Sequence, residues 1–150
     1  MANATTSDAE LVLKLYDLRR EDVMRKARNF IVGDFWPKSA EDVVNLANAW
    51  GSEQNAYFRQ VISFWEMAAS LPLRGAVNSE LFADWAGEMF FVYAKMSPIL
   101  KETREAMDNP GFMANVETFI NSSQVFIDRV GRMAPRVAKM GQSRRASANR

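Results

Sequence analysis

A chain of 150 residues that is 48% hydrophobic and 25% charged has the balance of one globular domain. At this length such a domain buries about 68–70% of its unfolded surface and needs no staple. With no cysteine and no histidine, thiol nucleophiles, disulfides, zinc knuckles, iron–sulfur clusters, Ser-His-Asp triads and histidine-based metal sites are excluded.

The hydrophobic periodicity is helical nearly throughout, and no strand pair or hairpin turn stands out. Ser7-Asp-Ala-Glu10 reads as a capping box that opens a first long helix, running to about Val32 and ending at Gly33. Acid-first pairs Glu10/Lys14, Glu21/Arg25 and Asp22/Lys26 sit at i, i+4 along it. The cations of Arg19–Arg28 are interleaved with acids, as on a salt-bridged outer face rather than a nucleic-acid patch. After the turn at Phe35-Trp36-Pro37, Ser39-Ala-Glu-Asp42 caps a short helix that stops near Trp50-Gly51. A third helix, about 52–71, closes at Pro72 and the Arg74-Gly75 loop. Its polar residues Arg59, Ser63, Glu66 and Ser70 form one narrow stripe on an otherwise apolar cylinder, which predicts the central helix of the domain.

A fourth helix is expected from Asn78 or Ser79 to Met96, either kinked or restarted at Ser97-Pro98. Glu80, Asp84 and Glu88 follow one another at i, i+4 along it. One straight row of carboxylates cannot wrap an ion, so the stripe reads as a solvated face or a partner for basic side chains rather than a divalent-cation site. Ala83, Gly87 and Ala94 read as room for close helix packing rather than as a ligand groove. Asn109-Pro110 opens a last helix predicted to reach about Val130. The fold expected is therefore an all-α, single-domain bundle of about five to six helices, mostly antiparallel. Residues 1–130 form the bundle and 131–150 a basic, partly disordered tail, with order doubtful past Gly131 and Pro135.

Net charge is +1, divided unevenly. Residues 129–150 carry seven cations and no acid, while 1–128 carry twelve cations and eighteen acids, so a weakly acidic body precedes a basic tail. In the tail, Arg129, Arg132, Arg136 and Lys139 recur one residue ahead of Val130, Met133, Val137 and Met140. That rhythm is a short basic amphipathic segment suited to an anionic surface or an acidic groove; the plainer reading is a frayed, solubilising end that touches the acidic stripe of its own or a neighbouring subunit. Arg144 and Arg145 extend it. Arg144-Arg-Ala-Ser147 also has the form of a basophilic kinase site, a match too short to weigh.

Two stretches, Leu15–Arg28 and Phe58–Leu71 with the following Gly75, resemble an uncharacterised family of small bacterial all-helical proteins. The resemblance implies an all-helical domain in bacteria or their phages and assigns no activity. It leaves Tyr57, Arg59, Glu66 and Gly75 with structural roles only.

Functionally the leading expectation is a non-enzymatic interaction or assembly protein that self-associates, motivated by ten Phe, nine Met and four Trp and by the opposite charges of body and tail. The alternatives are nucleic-acid or anionic-membrane binding through Arg129, Arg132, Arg136, Lys139, Arg144 and Arg145, and a small-molecule pocket among helices lined by Trp65, Glu66, Trp85 and Tyr93. A carboxyl such as Glu66 beside Trp65 could be a raised-pKa acid; an ordinary stripe carboxylate held by Arg59 or a cation of the first helix is the simpler reading. No catalytic constellation, metal site or cofactor is expected. The neutral-to-acidic start and the absence of any apolar run near ~18 residues predict a cytoplasmic protein with no signal peptide and no transmembrane segment.

Overall fold

The computed structural model describes residues 2–150. Nine α-helices follow one another: α1 (Thr6–Arg19), α2 (Asp22–Asn29), α3 (Ala40–Asn48), α4 (Glu53–Leu73), α5 (Ser79–Trp85), α6 (Gly87–Met96), α7 (Leu100–Ala106), α8 (Ala114–Asn121) and α9 (Gln124–Ala148). A π-helical turn, Phe30–Asp34, extends α2, and a 3-10 turn, Ser97–Ile99, joins α6 to α7. Among the described residues there is no strand. The all-helical single domain is as the periodicity predicts, but the helices outnumber the five or six expected because three predicted helices are broken.

The first break falls at Arg20–Glu21. Glu21 takes an extended backbone, and its carboxylate accepts from Val23 N and Met24 N at 3.0 and 2.9 Å. It therefore caps α2 instead of pairing with Arg25, which pairs with Asp22. At the chain's start the capping box is Thr5 with Asp8, two residues earlier than predicted, whereas the Ser39–Asp42 box forms as read. The other two breaks fall at Ala86 and at Ser122–Ser123.

The end of α4 shows why Gly75 is needed. Ala76 N donates to Leu71 O and Gly75 N to Pro72 O, the paired bonds of a Schellman cap, with Gly75 at φ +72°. Pro72 lies in the last turn of α4 rather than just past it. As the stripe predicts, α4 is central: Phe58, Val61, Trp65, Ala68 and Ala69 are buried, and the helix packs against α2, α3, α5 and α8. Phe82, Phe90, Phe119 and Phe126 build the adjoining core, with Phe119 stacked on Phe126 at 4.9 Å between ring centres.

The largest departure from the sequence reading is α9. It passes through Gly131 and Pro135 without ending and runs to Ala148. Pro135 removes one amide donor and would ordinarily break a helix, yet packing holds this one: Phe126 and Val137 are buried and α9 lies along α6. Gly141 is buried against Trp36, so close that an added Cβ would sit 3.2 Å from the indole. Arg145 reaches back to Pro37 O at 3.5 Å. The tail is thus a helix laid on the bundle, with one face in contact.

Candidate functional site

Cutting a bundle into short helices multiplies helix ends, each with backbone groups that lack partners. Polar side chains from distant helices fill these ends. Asn55, fully buried in α4, donates through Nδ2 to Leu46 O and Ala47 O at the end of α3 (2.9 and 3.0 Å) and accepts Arg59 Nε on Oδ1. Glu66 accepts Asn115 N and Val116 N at 3.1 and 2.9 Å, across the start of α8. Arg129 donates to Ala83 O at 2.7 Å and lies over the Phe90 ring. The glycine at 87 makes room for it, since a Cβ there would be 3.2 Å from its guanidinium.

Lys95 is the most enclosed charged side chain of this set. Its ammonium, 8% exposed as a residue, donates to Ile31 O, Phe35 O and Val32 O at 2.6, 2.8 and 3.3 Å and sits 3.7 Å from the centre of the Trp36 ring. The π-helical turn explains the vacancy it fills. Phe35 N bonds back five residues to Phe30 O, which leaves the next carbonyls free for a cation. Burial pushes the Lys95 ammonium down from its ordinary value to about 7, with Asp34 opposing part of that shift. Between about pH 7 and 10 the unfolded chain therefore holds a proton that the folded chain has lost, so stability rises with pH over this window. A gain of about 2 kcal/mol from pH 7 to pH 9 is expected in urea melts and is expected to vanish in Lys95→Met; equal slopes in both proteins would exclude Lys95 as its source.

Of the four side chains expected to line a pocket, Trp65, Trp85 and Tyr93 are packed among other side chains, while Glu66 caps α8 and also edges a hollow. Trp65, 1% exposed, meets Trp85 and Phe64 at 5.2 and 5.0 Å between ring centres. Tyr93 points its hydroxyl at Glu117, which is itself paired with Arg104, and burial raises the phenol's pKa. Glu66 is held by the start of α8, not by Arg59 or a cation of the first helix. Of the predicted acidic row, Glu80 and Asp84 are exposed, but the break at Ala86 turns Glu88 inward onto Arg28 and Trp65. Among the described residues no three metal-ligating side chains converge, and no helix is long and apolar enough to cross a membrane.

Among the described residues, two surfaces stand out by their exposed aromatic or basic side chains. One surrounds Trp50, which is 71% exposed and carries the Arg59 guanidinium over its ring at 4.9 Å. With Arg59, Trp50 forms one wall of a hollow of about 560 Å³, floored by Phe58, Ile62, Met107, Phe112 and Met113 and edged by Glu66. The other is the outer face of α9. Of the six basic residues predicted to make contacts, Arg132, Arg136, Lys139 and Arg144 are exposed, whereas Arg129 and Arg145 are half-buried and bonded to Ala83 and Pro37.

Residues 4–123 match a family described as a domain of unknown function, DUF4760. The chain belongs to the DUF4760 family. No curated protein and no solved structure matches it. The DUF4760 match takes in α1 to α8 and stops at Ser123, the N-cap of α9. The Trp50 face therefore lies inside the family's own domain and the basic helix outside it. Sequence reasoning missed Lys95, Asn55 and the Trp50 face. Lys95 did leave a signal, as a lone cation in the apolar run Met89–Met96.

Proposed function

We propose that this chain is a non-catalytic helical interaction module that self-associates through the face around Trp50. The observation that carries the reading is an exposed aromatic rim on an apolar hollow. Trp50, 71% exposed, forms part of the wall of that hollow. Two such faces related by a two-fold axis would bring each indole rim onto the partner's hollow. Trp, Arg and Met are the side chains enriched at interface centres, and Trp50, Arg59 and Met107 supply all three. The non-catalytic part rests on Glu66, Glu88 and Lys95, whose hydrogen-bonding capacity is taken up by helix ends and neighbouring side chains.

Sedimentation equilibrium at micromolar concentrations tests this. The expected result is a species of twice 17.0 kDa. Trp50→Ala weakens association by about 2 kcal/mol, roughly 30-fold, while leaving the fold intact, because an exposed side chain contributes little to the core. A wild-type protein that stays monomeric, or a Trp50→Ala protein that associates as before, would overturn the reading.

A further inference from the structure

We infer that the outer face of α9 is a docking surface for double-stranded DNA, read through its phosphates rather than its bases. Arg132, Arg136 and Lys139 step by four and three along the helix, which puts them on one stripe, and all three are exposed. Ser143 continues that stripe, and Arg144 and Arg150 add charge near its end. No acid follows Asp128 in the chain. Among the described residues no ion pair uses any of these cations. Like charges one turn apart destabilise the helix that carries them, and a polyanion laid along the row removes that repulsion.

The form of the surface selects the polyanion. The exposed cations of α9, from Arg132 to Arg144, span about 18 Å of helix, about half a turn of B-form DNA at about 34 Å. Single strands are held by aromatic stacking, and the one aromatic side chain of α9, Phe126, is buried. A bilayer needs the apolar side of an amphipathic helix, but here most of that side is packed on the bundle: Phe126 and Val137 are buried and Val130 and Met133 half-buried, which leaves Met140 as its one exposed member. Past Gly141 every residue except Arg145 is exposed, so the outer side of the helix end is open to the phosphates of a duplex. Duplex RNA differs in that its A-form phosphates flank a deep, narrow major groove, and it is one arm of the test below. This inference stands apart from self-association, since it uses neither Trp50 nor its hollow.

The test is fluorescence anisotropy of the full chain with dye-labelled DNA duplexes of unrelated sequence, titrated across a range of salt. Equal binding to each duplex is expected, with log K falling against log salt at a slope of about −3 to −4, as for about four neutralised phosphates. The reversal Arg132→Glu/Arg136→Glu/Lys139→Glu is expected to weaken binding at least tenfold and to flatten the slope by about 3. Its sedimentation mass is expected to stay unchanged, which separates this failure from that of self-association. The neutral set Arg132→Gln/Arg136→Gln/Lys139→Gln relieves the row's own repulsion, serves if the reversal fails to fold, and is expected to lose binding likewise. Absence of binding at low salt, unchanged binding by the substituted proteins, or equally tight capture by duplex RNA or by phosphatidylserine vesicles would overturn the assignment.

Discussion

Glu88→Gln is expected to lower the stability of the bundle by about 3 kcal/mol, a fall in Tm of roughly 6–12 °C for a chain of this size. The Glu88 carboxylate takes Arg28 Nε at 2.7 Å and NH2 at 2.6 Å on one oxygen and Trp65 Nε1 at 3.2 Å on the other. Its side chain is 11% exposed and that of Arg28 22%, so water cannot replace the partner that is lost. A second cation raises the stakes. Arg19 lies over the Tyr16 and Trp85 rings, and its pKa is lowered by burial first and by Arg28 next, with Glu88 acting in the opposite direction. Neutralising Glu88 leaves two guanidinium groups facing each other without a counter-ion. The amide can still accept from Trp65, so the loss isolates the charge. In Arg28→Met/Glu88→Gln one of the two cations is gone, and the double variant is expected to lose less than the two single variants together, by at least 1 kcal/mol. Additive losses in thermal melts would show that the three charges do not act as a unit.

Glu88 also marks the boundary of what could be read in the sequence. On a continuous helix it belongs to the row Glu80–Asp84–Glu88, and the row predicts a solvated face. The break at Ala86 is what turns it inward, and nothing local announces that break: Ala86 offers no side-chain cap to α6. Ser39 and Asp42 were legible because a capping box is closed within four residues. Glu21 misled for the same local reason, since an acid four residues before Arg25 looks like a helix pair until its carboxylate is seen on Val23 and Met24. The narrow polar stripe of α4 correctly marked the central helix, because its girth is apolar whatever packs on it. Pro135 and Gly131 misled in the other direction. Their intrinsic cost to a helix is real, but burial of Val137 and the seat of Trp36 on Gly141 come from residues 40 or more positions away.

The same distance explains why the sealing groups escaped notice. Lys95 serves carbonyls 60–64 residues earlier, Arg129 a carbonyl 46 residues earlier, and Glu66 amides 49 and 50 residues later. A single sequence contains the polar residue but not its address. What the composition does register is the consequence. A domain made of short helices must import its caps, so charged and amide side chains appear on otherwise apolar faces, where they resemble sites. Such residues bind the fold's own backbone, and their bonds are already occupied. Trp50 and the outer cations of α9 are among the groups with no backbone end to serve, and so are open to partners.

Glu66→Ala tests this division most directly, because Glu66 was also the one residue with a catalytic alternative. The start of α8 has no cap of its own: Met113 takes a left-handed backbone at φ +56° and makes no side-chain bond there. The Glu66 carboxylate therefore supplies two charge-assisted acceptors and a negative charge at the positive end of a helix dipole. Each such bond is worth about 1.5–3 kcal/mol where water is excluded. The site is only half-buried, so part of the loss is made good by solvent, and about 3 kcal/mol is expected in total. Alanine is the better helix former and would by itself favour α4, which makes a loss of stability diagnostic. Glu66→Gln keeps one acceptor and no charge, and is expected to lose about half as much. Hydrogen exchange locates the effect: the amides of Asn115 and Val116 lose protection in Glu66→Ala while those of Val61 and Trp65 fall only with global stability. A change under about 0.5 kcal/mol, or unaltered protection at Asn115 and Val116, would detach Glu66 from α8 and return its carboxylate to the hollow beside Trp50 as a free group.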